Sequence, residues 1–182
     1  YVEDRLRNDW LLELGRRRDW ANFNRELPRY RMNDDREVSC YALLNQHLAG
    51  QDVKAAARAA WYAQRDLDDG CNLLASTLFD ARLLSAADVW REVRLSVEFN
   101  RVRPARAAAG LIDANVATAV HDLFDNPARY LKRRVDLKAP LQKELSMLAV
   151  VRLAASDPEA AVAELEPLQR HLAGAARELH TF

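Results

Sequence analysis

Three short stretches of the sequence decide its fold class: Arg18-Asp-Trp-Ala-Asn-Phe23, Gln51-Asp-Val-Lys-Ala-Ala56 and Leu84-Ser-Ala-Ala-Asp-Val89. Each places a side chain that caps free backbone N–H groups directly before helix-forming residues. The capping residues Asp19, Asp52 and Ser85 are 33 residues apart, twice in succession. The same chemistry returns at Asp157, which Pro158 follows. The stretches therefore predict a repeating unit in which each cap opens the second helix of a pair.

Hydrophobic residues recur at spacings of three and four along most of the chain, and period-two alternation never persists over the length of a strand. Alanine accounts for about one residue in six, against 5 glycines and 6 prolines, which favours helices over a turn-rich sandwich or barrel. Asp35 is a further predicted cap, and Gly15, Pro28 and Gly50 are predicted stops. The predicted helices lie near 3–15, 19–27, 35–49, 52–66, 71–83, 86–101, 104–113, 115–125, 127–134, 139–155, 158–166 and 168–179.

Short helices with shorter connections pack as antiparallel hairpins, and one hairpin cannot bury its apolar face without a neighbour. A two-helix period in the low thirties is typical of stacked solenoids of the tetratricopeptide kind. The full tetratricopeptide consensus is missing, so the repeats are degenerate. We therefore predict an all-α fold: a right-handed superhelical solenoid of antiparallel hairpins, forming one domain over residues 1–182.

Composition excludes several classes of function. Lysine plus arginine and aspartate plus glutamate are both 27, so the formal net charge is zero and nucleic acid is not an expected partner. No apolar run reaches the roughly 20 residues of a membrane span. The start, Tyr1-Val-Glu-Asp-Arg5, has neither a Met nor a signal-peptide core. We expect the chain to be a piece of a longer protein.

Cys40 and Cys71 are the two cysteines of the chain. They fall on the first helices of successive predicted hairpins, which are neighbours in one layer of a solenoid. A disulfide between them would stabilise the fold by roughly 3–4 kcal/mol on the chain-entropy model. Two independent buried thiols are an equally good interpretation of the residues themselves. A zinc site is less favoured than either, because no histidine has a short metal-ligand spacing; the histidines are His47, His121, His171 and His180.

Catalytic motifs are missing from the sequence: it has no serine elbow, glycine-rich phosphate loop, His-Glu-x-x-His pair or Cys-His arrangement. The glutamates mostly fall on the polar faces of amphipathic helices, where solvated or ion-paired roles are expected: Glu13, Glu26, Glu37, Glu92, Glu98, Glu144 and Glu164. We predict no catalytic residue, no cofactor-binding residue and no metal ligand in this chain.

Aromatic side chains at helical spacing are expected in the core rather than as stacking platforms for sugars or peptides: Trp10, Trp20, Tyr30, Tyr41, Trp61, Tyr62, Trp90 and Tyr130. Two basic clusters, Arg16-Arg17-Arg18 and Lys132-Arg133-Arg134, lie at predicted helix C-termini. The helix dipole favours cations there, although an anionic polymer could use the same groups.

The residues around these features resemble a known family, the soluble lytic murein transglycosylases, which are periplasmic enzymes that cleave peptidoglycan. The resemblance lies in their N-terminal superhelical, U-shaped, non-catalytic region and covers about residues 5–103. It rests on the following segments: Leu6-Arg-Asn-Asp-Trp10-Leu-Leu-Glu-Leu14, Arg18-Asp-Trp20 with Phe23, Cys40-Tyr-Ala-Leu-Leu44, Gly70-Cys71-Asn-Leu-Leu74, and Leu83-Leu-Ser85 leading to Val89-Trp-Arg-Glu-Val-Arg94. One departure is Asn72, where the resemblance predicts an aspartate.

The resemblance implies a disulfide between Cys40 and Cys71, which persists in an oxidising periplasm. It also implies that the catalytic, lysozyme-like domain is a separate C-terminal part, since this chain contains no Glu-Ser catalytic motif, no Gly-Leu-Met-Gln segment and no Ala-Tyr-Asn-Ala-Gly segment. The chain by itself is therefore predicted to be inactive. Its implied partners are that catalytic domain and peptidoglycan glycan strands.

Two functions from different classes remain open at this stage. One is the non-catalytic superhelical region of a lytic transglycosylase, which scaffolds the catalytic domain and helps to engage glycan strands. The other is an unrelated helical-repeat adaptor that binds a peptide or protein in a concave groove. A paired Cys40–Cys71 favours the first function, and free thiols beside a peptide-lined groove favour the second.

Overall fold

The computed structural model describes residues 2–133, 139–165 and 168. Within these ranges the regular structure is helical and contains no strand, which confirms the predicted all-α class. The right-handed solenoid remains a prediction. The helices are α1 (Val2–Arg16), α2 (Trp20–Glu26), a 3₁₀ helix (Leu27–Arg29), α3 (Arg36–Leu48), α4 (Lys54–Tyr62), α5 (Asp69–Asp80), α6 (Ala86–Glu98), α7 (Val102–Ile112), α8 (Ala114–Asp125), α9 (Pro127–Leu131) and α10 (Pro140–Ala154), followed by helical residues 158–165.

Most of the predicted caps begin helices. The carboxylates of Asp19, Asp35 and Asp157 accept hydrogen bonds from backbone N–H groups three residues later, at 3.2, 3.0 and 2.9 Å. Ser85 and Asp88 cap α6 reciprocally, because the Asp88 N–H donates to Ser85 Oγ and the Ser85 N–H donates to Asp88 Oδ2.

Three helix starts differ from the prediction by two residues: α4 begins at 54 instead of 52, α5 at 69 instead of 71, and α7 at 102 instead of 104. Asp52 is not the N-cap of α4: Val53 occupies that position, and Asp52 accepts a 3.1 Å bond from the N–H of Lys54, which is already helical. The helix α5 begins at Asp69, two residues earlier than predicted, because Asp68 caps it through the Cys71 N–H at 2.7 Å. Asp66 and Asp69 lie beside Asp68 in the sequence, so the residue types do not show which of the three aspartates is the cap.

Several helices are followed by a residue with left-handed backbone, and most of these residues are not glycine. Gly50 adopts φ +83° directly after α3, as predicted for a stop. Arg18, Arg82 and Asn100 adopt φ between 57° and 58° after α1, α5 and α6. Gly15 is not a stop: it lies inside α1. Pro28 stands in the 3₁₀ helix that follows α2.

Contacts divide the chain into two compact units, with the boundary between Glu92 and Val93 inside α6. In the first unit α1 packs on α2, α3 and α5, while α4 packs on both α3 and α5. A core cluster of six buried residues joins α1, α2 and α3: Leu11, Leu14, Phe23, Tyr30, Val38 and Tyr41. The helices α3 and α5, which are the first helices of successive predicted hairpins, also pack directly on each other.

In the second unit α7 packs closely on α8, and α10 packs on α8 and α9. Buried small residues of α7, namely Ala105, Ala108 and Ala109, allow this approach. A second cluster contains Val150, Leu153, Ala161 and Leu168. The predicted helix over 168–179 lies outside the described residues, except for 168 itself. Among the described residues, no helix combines the length and apolar character that crossing a membrane requires.

Candidate functional site

A disulfide joins Cys40 on α3 to Cys71 on α5. The two Cα atoms are 4.9 Å apart, and both side chains are fully buried. The bond closes a sequence separation of 31 residues, so on the chain-entropy model it stabilises the folded state by roughly 3–4 kcal/mol. It cross-links α3 to α5 in the first unit.

Glycine lets α3 and α5 approach each other beside this bond. A Cβ at Gly70 would lie 2.8 Å from the carbonyl oxygen of Glu37 and 3.2 Å from the ring of Tyr41. Such distances force backbone or a packed ring to move. Gly70 is therefore needed for the close contact that brings Cys71 to Cys40.

Two carboxylates lie next to the disulfide, and both are harder to ionise than usual. Burial raises the pKa of Glu37, and the negative charge of Asp68 adds to the effect. Burial likewise raises the pKa of Asp68, against the opposing hydrogen bond from the Cys71 N–H. Glu37 also accepts a 3.3 Å bond from the Gly70 N–H. Glu37 thus links α3 to the first turn of α5.

Cys40, Asp68 and Cys71 place three potential metal-ligand atoms within 4.8 Å of one another. In the disulfide form the two sulfurs are bonded to each other and offer no thiolate to a metal. Neither His47 nor His121 belongs to such a group among the described residues, and His171 and His180 lie outside them. That the chain binds no metal and no cofactor remains a prediction.

A polar network connects α4 to the start of α6. The Asp88 carboxylate accepts hydrogen bonds from Arg58 Nη2 at 3.0 Å, from the Tyr62 hydroxyl at 3.2 Å and from the Ser85 hydroxyl at 2.7 Å. Burial alone would raise the pKa of Asp88, but the bonds from Ser85 and Arg58 outweigh it and lower that pKa. Burial and the Asp88 charge raise the pKa of Tyr62 to about 12. The guanidinium of Arg91 lies 5.3 Å from the centre of the Tyr62 ring.

The expected solvated role is wrong for Glu92. Its side chain is completely buried in the middle of α6, and Oε1 accepts a 3.5 Å hydrogen bond from Nε2 of Gln64, which is also buried. The sequence carried a signal for this, since Glu92 stands three residues after Val89 and one before Val93, on the apolar side of the helix.

The expectation of a solvated or ion-paired role is also wrong for Glu37, whose pKa burial raises, whereas Glu13 and Glu144 form ion pairs as predicted. Glu13 pairs with Arg16 and Arg17, and Glu144 pairs with Arg94 at 2.6 Å. Pairing with Glu13 accounts for two arginines of the first basic cluster. In the second cluster, Arg133 pairs with Asp122 at 2.7 Å, and Arg134 lies outside the described residues.

A polar cleft of about 480 Å³ opens at the start of α1, lined by Glu3, Asp4, Arg7, Pro28, Arg29 and Arg31. Arg7 bridges its walls, because it binds Glu3 at 2.7 Å and the carbonyl oxygen of Arg29 at 3.2 Å. Asp4 accepts a 3.0 Å bond from the Met32 N–H. These bonds hold α1 to the segment after α2.

Most of the aromatic residues lie in the core, as predicted: Tyr30, Tyr41, Trp61 and Tyr130 are buried, and Trp20, Tyr62 and Trp90 are partly buried. Trp20 and Tyr41 lie with ring centres 6.3 Å apart. Trp10 is the exception, with half of its side chain exposed. The structure therefore offers no row of stacking platforms among these residues.

Comparison with solved structures identifies what this fold is similar to. The lytic transglycosylase Slt from Pseudomonas aeruginosa, solved as an inactive mutant, matches over 90% of this chain and 27% of its own, with a TM-score of 0.59 and 22% identity. The 70-kDa soluble lytic transglycosylase in complex with bulgecin A matches over 92% of this chain and 28% of its own, with a TM-score of 0.65 and 19% identity.

The similarity in both cases is to the helical region, which confirms at the level of fold the resemblance seen in the sequence. This chain spans little more than a quarter of the length of either solved chain. No protein-family model matches the sequence, and no match was found among curated proteins.

Proposed function

We propose that this chain is the non-catalytic superhelical region of a soluble lytic murein transglycosylase. The observation that carries the proposal is the fold match over nine-tenths of the chain to the helical region of two such enzymes. The residues that resemble the family in sequence, from Leu6 to Arg94, agree with it independently.

The disulfide supports a periplasmic location for this region. Disulfides form and persist in oxidising compartments, whereas cytosolic reductants keep most thiols reduced. Cys40 and Cys71 are both fully buried and bonded to each other. A structural bond of this kind suits a protein that works on the cell wall.

The region acts as a scaffold for a catalytic domain outside residues 1–182 and helps that domain to engage peptidoglycan glycan strands. Several of its charged groups form ion pairs, such as Arg58–Asp88 and Arg94–Glu144, which suits a structural role. Glu37 accepts a hydrogen bond from the Gly70 N–H, and the fully buried Glu92 accepts one from Gln64, so both carboxylates contribute to packing between elements. We therefore assign neither of them to catalysis.

The test uses the whole product of the gene and the isolated chain side by side. Purified whole product should release anhydromuropeptides from isolated peptidoglycan sacculi, and residues 1–182 alone should release none. The matched control is the whole product after replacement of its own catalytic glutamate. If the whole product shows no turnover, the transglycosylase proposal is wrong. Turnover by residues 1–182 alone would equally contradict the assignment of catalysis to another domain.

A further inference from the structure

The carboxylate of Asp68 lies directly beside the Cys40–Cys71 disulfide. One of its oxygens and the two sulfurs all lie within 4.8 Å of one another. Both cysteines are fully buried, whereas Asp68 is partly exposed. A reagent that approaches the sulfurs from the solvent side of this group therefore meets the carboxylate first.

Cys71 occupies a helix position at which a cysteine is usually reactive. It is the third residue of α5, and the free N–H groups in the first turn of a helix stabilise a thiolate. In thiol–disulfide exchange a thiolate attacks one sulfur, the S–S bond breaks and the other sulfur leaves as a thiolate. A more stable thiolate leaves faster. The helix position alone would therefore make this disulfide easy to reduce.

Asp68 opposes that effect in two ways. Its carboxylate accepts a hydrogen bond from the Cys71 N–H at 2.7 Å, so this N–H group is not available to a thiolate. Its negative charge repels both the thiolate that attacks and the thiolate that leaves. The carbonyl oxygen of Arg36, which lies 3.9 Å from Cys71 Sγ, adds a second electron-rich group beside the bond.

The charged groups around Asp68 strengthen the repulsion. Asp35 and Asp69 repel the charge of Asp68, while the Arg36 guanidinium attracts it. Glu37 is a further carboxylate that interacts with Asp68. The disulfide therefore lies beside more negative than positive charge, and an anionic reductant is disfavoured there.

We propose that the charge of Asp68 protects the Cys40–Cys71 disulfide from attack by thiolates and so keeps a cysteine at a reactive helix position in an inert structural bond. The proposal concerns α3, α5 and the bond between them. It does not depend on the transglycosylase assignment, and its test requires no peptidoglycan.

The experiment measures how fast dithiothreitol reduces the disulfide of the folded, oxidised chain at pH 8, where carboxylates are ionised. The first thiolate of the reductant forms a mixed disulfide with one cysteine. The second thiolate displaces that cysteine, which leaves two protein thiols and one cyclic, oxidised reductant molecule. Acid quenching, alkylation and mass spectrometry give the reduced fraction over time.

Two substitutions separate the charge of Asp68 from its role as a helix cap. Asp68→Asn keeps a capping side chain and removes the charge, and Asp68→Ser is a second neutral cap. Asp68→Glu keeps the charge in a residue that is not a preferred cap. The matched control is Asp113→Asn, the same change at the cap of α8 in the second unit. Urea unfolding of each oxidised variant corrects its reduction rate for changes in stability.

After this correction, Asp68→Asn and Asp68→Ser should be reduced about tenfold or more faster than wild type. Asp68→Glu and Asp113→Asn should stay within about threefold of wild type. Faster reduction of Asp68→Glu with no change in the two neutral variants would assign the protection to the cap and overturn the proposal. Rates that follow only the unfolding equilibrium constants of the variants would overturn it as well, because stability alone would then explain them.

Discussion

Gly15 of α1 lies against the ring of Tyr41 of α3. A Cβ at Gly15 would lie 2.3 Å from Cδ2 of that ring, a distance that real atoms do not adopt. The ring has little room to move, because Tyr41 is 1% exposed and packs near Trp20 and Phe23. The missing side chain at Gly15 is therefore what allows α1 and α3 to pack at this distance.

Gly15→Ala should destabilise the protein by about 1–3 kcal/mol, since overpacking a filled core costs that much and outweighs the gain in helix propensity. Urea unfolding followed by far-ultraviolet circular dichroism measures the change. Gly110→Ala is the matched control, because a Cβ there meets only the Ala117 Cβ at an ordinary 3.9 Å. It should be neutral or stabilise by up to about 1 kcal/mol. Equal effects of the two substitutions would contradict the packing explanation.

Asp88→Asn should lower the free energy of unfolding by about 1–3 kcal/mol at pH 7, because it removes the charged acceptor shared by Arg58, Tyr62 and Ser85. The pKa of Asp88 is lowered in the folded state. Its contribution is therefore present above the usual carboxyl pKa and is lost as the pH falls through the lower, folded-state value.

The gap between wild type and Asp88→Asn should accordingly narrow in melts below about pH 4. Asp80→Asn, at an exposed position on α5, is the control and should stay within about 0.5 kcal/mol of wild type at every pH. A gap that is unchanged between pH 7 and pH 3 would show that the Asp88 charge is not responsible.

Glu37→Gln tests a carboxyl group whose folded-state pKa is shifted in the opposite direction to that of Asp88. Burial raises the pKa of Glu37 in the folded state, so the protonated form is favoured there. Stability from this group is present below the unfolded-state pKa and is lost as the pH rises through the raised value. Glutamine keeps the acceptor for the Gly70 N–H without the charge.

We therefore expect Glu37→Gln to be at least as stable as wild type at pH 7, with an advantage that shrinks as the pH falls towards 4. Thermal melts at half-unit pH steps measure this difference. Glu98→Gln, at an exposed position on α6, is the control and should show no such trend. A Glu37→Gln advantage that grows as the pH falls would reverse the assigned direction.

Sequence patterns predicted the helical class and most helix starts, because capping and apolar spacing are local properties. Asp19, Asp35 and Asp157 are recognisable without knowledge of any distant residue. Asp52 shows the limit of this reasoning: a capping residue type does not reveal which of two adjacent positions begins the helix. In α4 the first helical residue is Lys54.

The features near the candidate site depend on residues far apart in sequence. Glycine often ends helices, so the residue type of Gly15 predicts a stop. Only the position of Tyr41, 26 residues later, shows that Gly15 is needed for packing. The spacing with Val89 and Val93 places Glu92 on the apolar side of α6, but no local pattern identifies its hydrogen-bond partner Gln64, 28 residues earlier in the chain. Composition and spacing do not encode such pairings, whereas the family resemblance did imply the pairing of Cys40 with Cys71.

The last prediction concerns that pairing in solution. Mass spectrometry of unreduced, denatured protein after alkylation should find no free thiol, because Cys40 and Cys71 are the two cysteines and are bonded to each other. Reduction should lower the free energy of unfolding by about 2–4 kcal/mol, since it releases the constraint on the unfolded chain. The double variant Cys40→Ser, Cys71→Ser should match the reduced protein and should not respond to reductant, which separates loss of the bond from other effects of the reagent. Two alkylated thiols in the unreduced protein would refute the bond and remove the main support for a periplasmic location.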